Sequence, residues 1–224
     1  MNTLAAAWSW LTSPAHWPGT DGIANRLTEH LYLTVVCLAL SCALALPVAL
    51  VLGHLGRGGA LAVNISNAGR AVPTFAVLVL LLLTPIGAYG QWPTIIALVL
   101  FAIPPLLTNA YVGMRGVDRD VVRAARGMGM TARQCLCRVE VPLALPLILT
   151  GVRIAAVQLV ATATLAALIG GGGLGRIITA GFNLADTAQV VAGAILVAVL
   201  ALLVEGAFEA ALRLGPRWVR GGSG

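Results

Sequence analysis

RGVDRDVVRAARGMGMTARQCLCRVEVP, residues 115–142, is the longest polar interval after the first apolar span of this chain. It carries six arginines: Arg115, Arg119, Arg123, Arg126, Arg133 and Arg138. The pattern predicts two short helices with a turn between them. A basic loop with structure of its own, set between apolar spans, indicates a docking element and not a simple tether.

Capping residues in this stretch predict where the two helices begin and end. Asp118 is a natural N-cap for a first helix over residues 119–126, and Gly129 can adopt the left-handed conformation that follows it. Thr131 and Gln134 have the spacing of a capping box for the second helix. Prolines follow, the first at Pro142, and we expect the second helix to give way there to the next apolar span.

The composition indicates a membrane protein. A mean hydropathy of +0.94, with 59% hydrophobic and 10% charged residues, leaves too little polar surface to cover a soluble domain. The net charge of +6 comes from arginines that flank apolar stretches, which favours membrane orientation over nucleic-acid binding. We predict an all-α integral membrane protein with about five transmembrane helices.

Three regions are expected along the chain. Residues 1–28 read as an external or interfacial segment, residues 29–214 as the membrane domain, and residues 215–224 as a basic, flexible cytoplasmic tail. Within the membrane domain, stretches of low polarity and sufficient length predict spans at about residues 31–52, 60–84, 94–112, 143–169 and 188–211.

The arginines also predict an orientation. On one side of a five-span arrangement lie Arg57, the six arginines of residues 115–142, Arg213, Arg217 and Arg220. The other side has chiefly Arg26 and Arg176. The excess of positive charge on cytoplasmic loops then predicts a cytoplasmic loop 115–142, a cytoplasmic C-terminus and an external N-terminus.

Six residues of this loop keep the spacing of a known motif: Ala124, Ala125, Gly129, Val139, Val141 and Pro142. The spacing is similar to the EAA loop of ABC importer permeases, whose coupling helices sit in a groove of the cytoplasmic ATPase. The resemblance implies that these six residues, with Asp120 and Arg123, couple the chain to the ATPase. One departure is that the family usually has Glu at the position of Arg123.

The glycine-rich stretch from Gly151 to Gly175 extends the resemblance. Its sequence, GVRIAAVQLVATATLAALIGGGGLG, looks like the glycine betaine, choline and carnitine branch of these permeases. The branch implies several partners: cytoplasmic ATPase subunits that hold ATP and Mg, a second permease (an identical copy or a divergent paralogue), and an extracytoplasmic solute-binding protein. Membrane lipid would surround the complex in the plasma membrane.

A few polar residues fall within the predicted spans, where they are costly unless paired. Gln158 and Thr162 lie close to one face of the fourth span, and Asn109 lies on the third. Hydrogen bonding between helices and a translocation path explain them equally well. The fourth span is closed by a structural turn, Gly170, Gly171, Gly172 and Gly173.

No catalytic residues or metal ligands are expected in this chain. The three histidines are far apart, the Cys135–Cys137 pair is a weak metal signal, and the chain has no lysine and hence no phosphate-binding loop with one. The resemblance implies a permease for osmoprotectants: glycine betaine, choline, carnitine or proline-like solutes. A methionine-type or other amino-acid permease is the nearest alternative, and a non-transporting scaffold or membrane-embedded enzyme is the alternative of another class.

Overall fold

The computed structural model describes residues 2–59, 64, 69 and 72–214, with side chains to residue 212. The regular structure of these residues is helical, which confirms the predicted all-α class. The α-helices are α1 (Thr3–Thr12), α2 (Ile23–Leu55), α3 (Thr74–Leu82), α4 (Trp92–Gly116), α5 (Arg119–Gly127), α6 (Ala132–Cys135), α7 (Val141–Thr162), α8 (Gly175–Asn183) and α9 (Thr187–Leu214). Segments Pro14–His16, Pro85–Ala88 and Ala163–Ile169 are 3₁₀ helices, and Leu136–Glu140 is a π-helix.

Four helices of the described residues are long and apolar enough to cross a membrane: Ile23–Leu55, Trp92–Gly116, Ala132–Ile169 and Thr187–Leu212. They coincide with four of the predicted spans. The first half of the predicted span over residues 60–84 falls mostly outside the described residues. Its second half is described and contains α3, which follows Pro73. The predicted tail, residues 215–224, also lies outside them.

Helix α2 begins at Ile23, earlier than the predicted span at residue 31. Its first turns contain Arg26, Glu29 and His30. These polar residues interrupt the apolar stretch, so the prediction places the start of the span after them. In the structure each of these three side chains has hydrogen-bond partners. Paired polar groups therefore extend the helix beyond its apolar stretch.

The chain divides into two compact units. The first unit comprises the described residues of Met1–Leu38, Val72–Val99 and Ala156–Val204. The second comprises those of Ala39–Ala71, Leu100–Ala155 and Glu205–Gly224. The long helices α2, α4, α7 and α9 each contribute residues to both.

The first unit has a core of small and branched apolar side chains. Its buried members are Ala7, Leu11, Ile23, Val160, Leu174, Ile177, Ala192 and Leu200. They come from α1, α2, α7, α8 with its N-cap residue, and α9, so the N-terminal helix is packed into the unit through its buried face. Two local hydrogen bonds hold the loop after α1: the Trp17 indole donates to Leu11 O at 2.9 Å, and His16 Nδ1 lies 2.8 Å from Trp10 O.

In the second unit the helices approach closely where one of them has a glycine. A side chain at Gly151 of α7 would place its Cβ 2.8 Å from Asn109 Cβ and 3.1 Å from Pro105 O, both on α4. At Gly113 of α4 a Cβ would lie 3.0 Å from Leu147 Cβ of α7. Small residues at such crossings let helix backbones meet, which is the usual packing of membrane helices.

Candidate functional site

The first short helix of residues 115–142 is capped as predicted. The Asp118 carboxylate accepts a hydrogen bond from the Asp120 N–H at 2.8 Å, and α5 ends at Gly127. Gly129 has a φ of +87°, in the left-handed region that favours glycine. The turn between the two helices therefore depends on this glycine.

The second short helix has the predicted capping box. The Gln134 N–H donates to the Thr131 hydroxyl at 3.3 Å, and the Thr131 N–H donates to Gln134 Oε1 at 2.8 Å. The predicted break at Pro142 is wrong. Helix α6 continues through the π-helix Leu136–Glu140 into α7, so that Pro142 and Pro146 lie in a helix that runs from Ala132 to Ile169. A π turn shifts the hydrogen-bond register, and Pro142 follows it immediately, where a missing N–H is tolerated.

Helix α5 presents apolar residues on two faces. Val122 and Ala125 are buried, which anchors the helix to the rest of the second unit. Val121, Ala124 and Met128 are exposed and, by their three- and four-residue spacing, lie along one side of the helix. We call these three residues the exposed stripe. Adjacent apolar residues that are exposed together are typical of a surface that a partner covers.

The polar residues expected to meet the ATPase lie at the surface. Asp120 and Arg123 form an ion pair with each other, and their side chains are 75% and 77% exposed. Val139, Val141 and Pro142 are half-buried at the junction of the π-helix and α7. The charged pair thus lies on the outside of the loop, and the three residues near the start of α7 lie partly inside it.

Sequence reasoning missed the most buried charged residue in this segment. Glu140 lies between Val139 and Val141 and its side chain is 0% exposed. Its carboxylate contacts His54 Nδ1, near the end of α2, and lies 3.5 Å from Arg119 Nη1 at the start of α5. We call His54, Glu140 and Arg119 the Glu140 cluster.

A signal for Glu140 was present in the sequence. It is the single acidic residue between Gly129 and Pro142, in a stretch with two arginines. Burial of an acidic side chain between two valines, at the start of an apolar span, costs free energy unless the carboxylate has partners. His54 is 86 positions earlier in the chain, so no local pattern could have identified it as the partner.

The proposed path residues fall into different units and have different surroundings. Thr162 donates to Gln158 O at 2.7 Å, and the Asn109 amide donates to Pro105 O at 2.8 Å, so both are satisfied by their own helices. Gln158 Oε1 is buried and has no hydrogen-bond partner among the described residues. Gln158 and Thr162 belong to the first unit and Asn109 to the second.

The turn after residue 169 is fixed to α2 by two polar side chains. Gly170 and Gly173 have φ values of +85° and +88°. The Glu29 carboxylate accepts from the Gly173 N–H at 2.8 Å and from Arg26 Nη1 at 2.7 Å. His30 is fully buried; its Nε2 donates to Val160 O at 2.9 Å and its Nδ1 accepts from the next amide after the turn. We call Arg26, Glu29 and the Gly173 amide the Glu29 cluster.

A cavity of about 510 Å³ opens in the first unit beside this cluster. Its lining combines aromatic, charged and amide side chains: Trp10, His16, Asp21, Arg26, Arg176 and Gln189. Trp10 and His16 are stacked with ring centroids 4.1 Å apart and an interplanar angle of 12°. We call this the first-unit cavity.

Membrane-length helices and, between two of them, a capped helix pair that presents an exposed stripe define a class: the transmembrane subunits of ABC importers. The family model for the "binding-protein-dependent transport system inner membrane component" matches residues 37–213. The chain belongs to this family and is therefore a multi-pass membrane protein. Membership implies an ATPase and a substrate-binding protein as partners in general.

Characterised relatives confirm the resemblance to the osmoprotectant branch. The glycine betaine/carnitine/choline transport system permease protein of Bacillus subtilis is 34% identical, over 79% of this chain and 81% of its own length. The carnitine transport permease protein of Listeria monocytogenes is 37% identical, over 86% and 88%. The osmoprotectant import permease protein of Salmonella typhimurium is 35% identical, over 79% and 75%.

Solved structures confirm the fold. A chain of the MetNI methionine ABC transporter, in an inward facing conformation, matches with a TM-score of 0.74 over 87% of this chain and 96% of its own. The sequence identity is 24%, so this match concerns the architecture and not the solute.

Proposed function

We propose that the chain forms the translocation pathway of an ATP-driven importer for osmoprotectants such as glycine betaine, carnitine, choline or proline-like solutes. The names of relatives that share more than a third of their residues over most of the chain support this solute class. The observation that carries the transport role is the exposed stripe of α5, which lies between the Asp118 cap and the Thr131 capping box and is joined through Arg119 to the Glu140 cluster.

The proposed orientation follows the arginines. Residues 115–142 and the C-terminus lie in the cytoplasm, and the N-terminus lies outside. ATPase subunits, which bind ATP and Mg²⁺ and hydrolyse the ATP, dock on the exposed stripe and on the Asp120–Arg123 pair. A solute-binding protein delivers solute at the outer face, and a second permease, identical or divergent, completes the pathway.

Two connections would carry movement of the docked loop into the membrane helices. One is the helix from Ala132 to Ile169, which is continuous through Pro142. The other is Glu140, which links the start of α5 to the end of α2 through Arg119 and His54. Closure of the ATPases would thus move α2 and α7 with α5, as alternating access requires.

The translocation path is proposed to include Gln158, Thr162 and Asn109. The support differs among them. Gln158 has a buried oxygen without a partner among the described residues, which a solute or a neighbouring permease would satisfy. Thr162 and Asn109 each donate one hydrogen bond within their own helices and retain acceptor capacity.

Uptake by the reconstituted complex tests the solute class. The complex of permease, ATPase and binding protein in proteoliposomes is expected to accumulate labelled glycine betaine or carnitine when ATP is inside the vesicles. Labelled methionine serves as the discriminating solute. Accumulation of methionine without any quaternary ammonium compound would overturn the proposal, and copurification without an ATPase would overturn the transport role itself.

A further inference from the structure

We infer that the first-unit cavity binds the carboxylate group of a small zwitterionic solute, with Arg176 as the carboxylate's partner. This inference rests on the proposed function and narrows it. It makes the permease itself favour carboxylate-bearing solutes, such as glycine betaine and carnitine, over choline, which has no carboxylate.

The size of the cavity and the fixed position of its wall fit a small-molecule site. Its volume of about 510 Å³ lies within the range of about 300–1,000 Å³ that is usual for such sites. The loop that forms one wall is held by the Trp17 indole and by His16 Nδ1, each bonded to a carbonyl of α1. The Gln189 amide, on α9, donates to Ile177 O at 3.2 Å. The wall is therefore held by hydrogen bonds of the chain itself.

Two arginines line the cavity, and one of them already forms ion pairs with neighbouring carboxylates. Arg26 has a side chain that is 12% exposed and forms ion pairs with Asp21 and Glu29. Arg176 is exposed and has no ion pair or side-chain hydrogen bond among the described residues. An anion that enters the cavity therefore finds Arg176 as the available guanidinium, which can bind a carboxylate through two parallel hydrogen bonds.

The same lining has groups for a cationic end. Trp10 and His16 form a stacked aromatic pair, and aromatic faces attract quaternary ammonium groups. Asp21 is 89% exposed and gives one of its oxygens to Arg26, which leaves the other for a cation. A wall with one available guanidinium, one exposed carboxylate and an aromatic pair complements a zwitterion better than a simple cation.

The position of the first-unit cavity fits a site that receives solute from the binding protein. The lining residues come from the segment before α2, the start of α2, α8 and the start of α9, all in the first unit. In the proposed orientation this segment is external. Solute released by the binding protein would meet Arg176 before it enters the pathway.

Direct binding to the complete complex tests the inference. Permease and ATPase are assembled in nanodiscs without binding protein and without nucleotide, and labelled glycine betaine or choline is titrated to millimolar concentration. We expect Arg176→Gln to weaken glycine betaine binding by about tenfold or more, the effect of one charged hydrogen-bonded partner, and to leave choline binding unchanged. Arg176→Lys keeps the charge and is expected to retain part of the affinity. Arg57→Gln removes an exposed arginine outside the cavity and is the matched control.

Each other outcome has a defined meaning. Absence of binding to the wild-type complex, or equal binding by wild type and Arg176→Gln, overturns the inference. Equal loss of glycine betaine and choline uptake by Arg176→Gln, in vesicles supplied with binding protein, also overturns it, because the residue would then contact the binding protein. Wild-type uptake in the same preparation is the separate test of the proposed function. If uptake occurs and binding does not depend on Arg176, this inference fails and the proposed function stands.

Discussion

In each unit a glutamate joins segments that are distant in the sequence, and the two glutamates differ in exposure. Glu140 in the second unit has a side chain that is 0% exposed, between His54 and Arg119. Glu29 in the first unit is 35% exposed, between Arg26 and the Gly173 amide. Similar chemistry thus occurs in two settings: the buried Glu140 cluster fixes a segment that, in the proposed function, transmits movement, and the partly exposed Glu29 cluster holds a turn beside the cavity for which we propose a ligand.

Removal of the buried charge is expected to have the largest effect. Glu140→Gln leaves the His54 and Arg119 side chains without a carboxylate, and the loss of a partner for a buried polar group costs about 1–3 kcal/mol. We expect the free energy of unfolding in mixed micelles to fall by about 2–3 kcal/mol, and ATP hydrolysis in the assembled complex to become independent of solute.

Asp120→Asn is the matched control for that variant, since it removes a carboxylate paired with an arginine in the same loop. Asp120 is 75% exposed, and exposed pairs contribute at most about 1 kcal/mol. Equal destabilisation by the two variants would mean that the Glu140 cluster does not hold the loop.

The Glu29 cluster is expected to lose less stability than the Glu140 cluster when its glutamate is replaced by glutamine. Glu29→Gln keeps an oxygen that can accept from the Gly173 N–H and loses only the charge that faces Arg26. We expect a loss of about 1 kcal/mol in the free energy of unfolding, measured in the same micelles. A loss as large as that of Glu140→Gln would show that the first unit depends on a closed charge cluster too, and would remove the contrast between the units.

Backbone conformation in the loop offers a test with almost no packing component. A Cβ at Gly129 or at Gly127 would have no atom within 4 Å, but only Gly129 has a positive φ. Gly129→Val is therefore expected to cost about 1–2 kcal/mol of backbone strain and to reduce solute-stimulated ATP hydrolysis, while insertion into the membrane is unchanged. Gly127→Val, which can remain helical, is the control. If solute stimulates ATP hydrolysis as strongly in Gly129→Val as in the wild type, the turn does not position the docking helix.

Local patterns explain what could be predicted from the sequence. Continuous apolar stretches located four spans, and Asp118 and Thr131 located the helix starts, because caps act over two or three residues. Three features could not be found in this way. The start of α2 at Ile23 depends on partners for Arg26, the continuity past Pro142 depends on a π turn, and the cavity joins Trp10 to Arg176 from opposite parts of the chain.

The smallest expected effect on stability belongs to Arg123, the residue that departs from the family pattern. Its ion pair with Asp120 is exposed to solvent, so Arg123→Glu should change the free energy of unfolding by less than about 1 kcal/mol.

The effect of Arg123→Glu on docking should be larger than its effect on stability, because a groove that closes over α5 brings the reversed charge close to the ATPase. We therefore predict that the native ATPase groove suits an arginine here, or that the complex contains a second permease with the usual glutamate. Arg123→Glu is then expected to weaken ATPase assembly, measured by copurification, whereas Asp120→Ala leaves Arg123 unpaired but in place and should weaken it less. If neither variant changes assembly or uptake, and purification yields one type of permease, Arg123 simply points to solvent and docking rests on the exposed stripe of Val121, Ala124 and Met128.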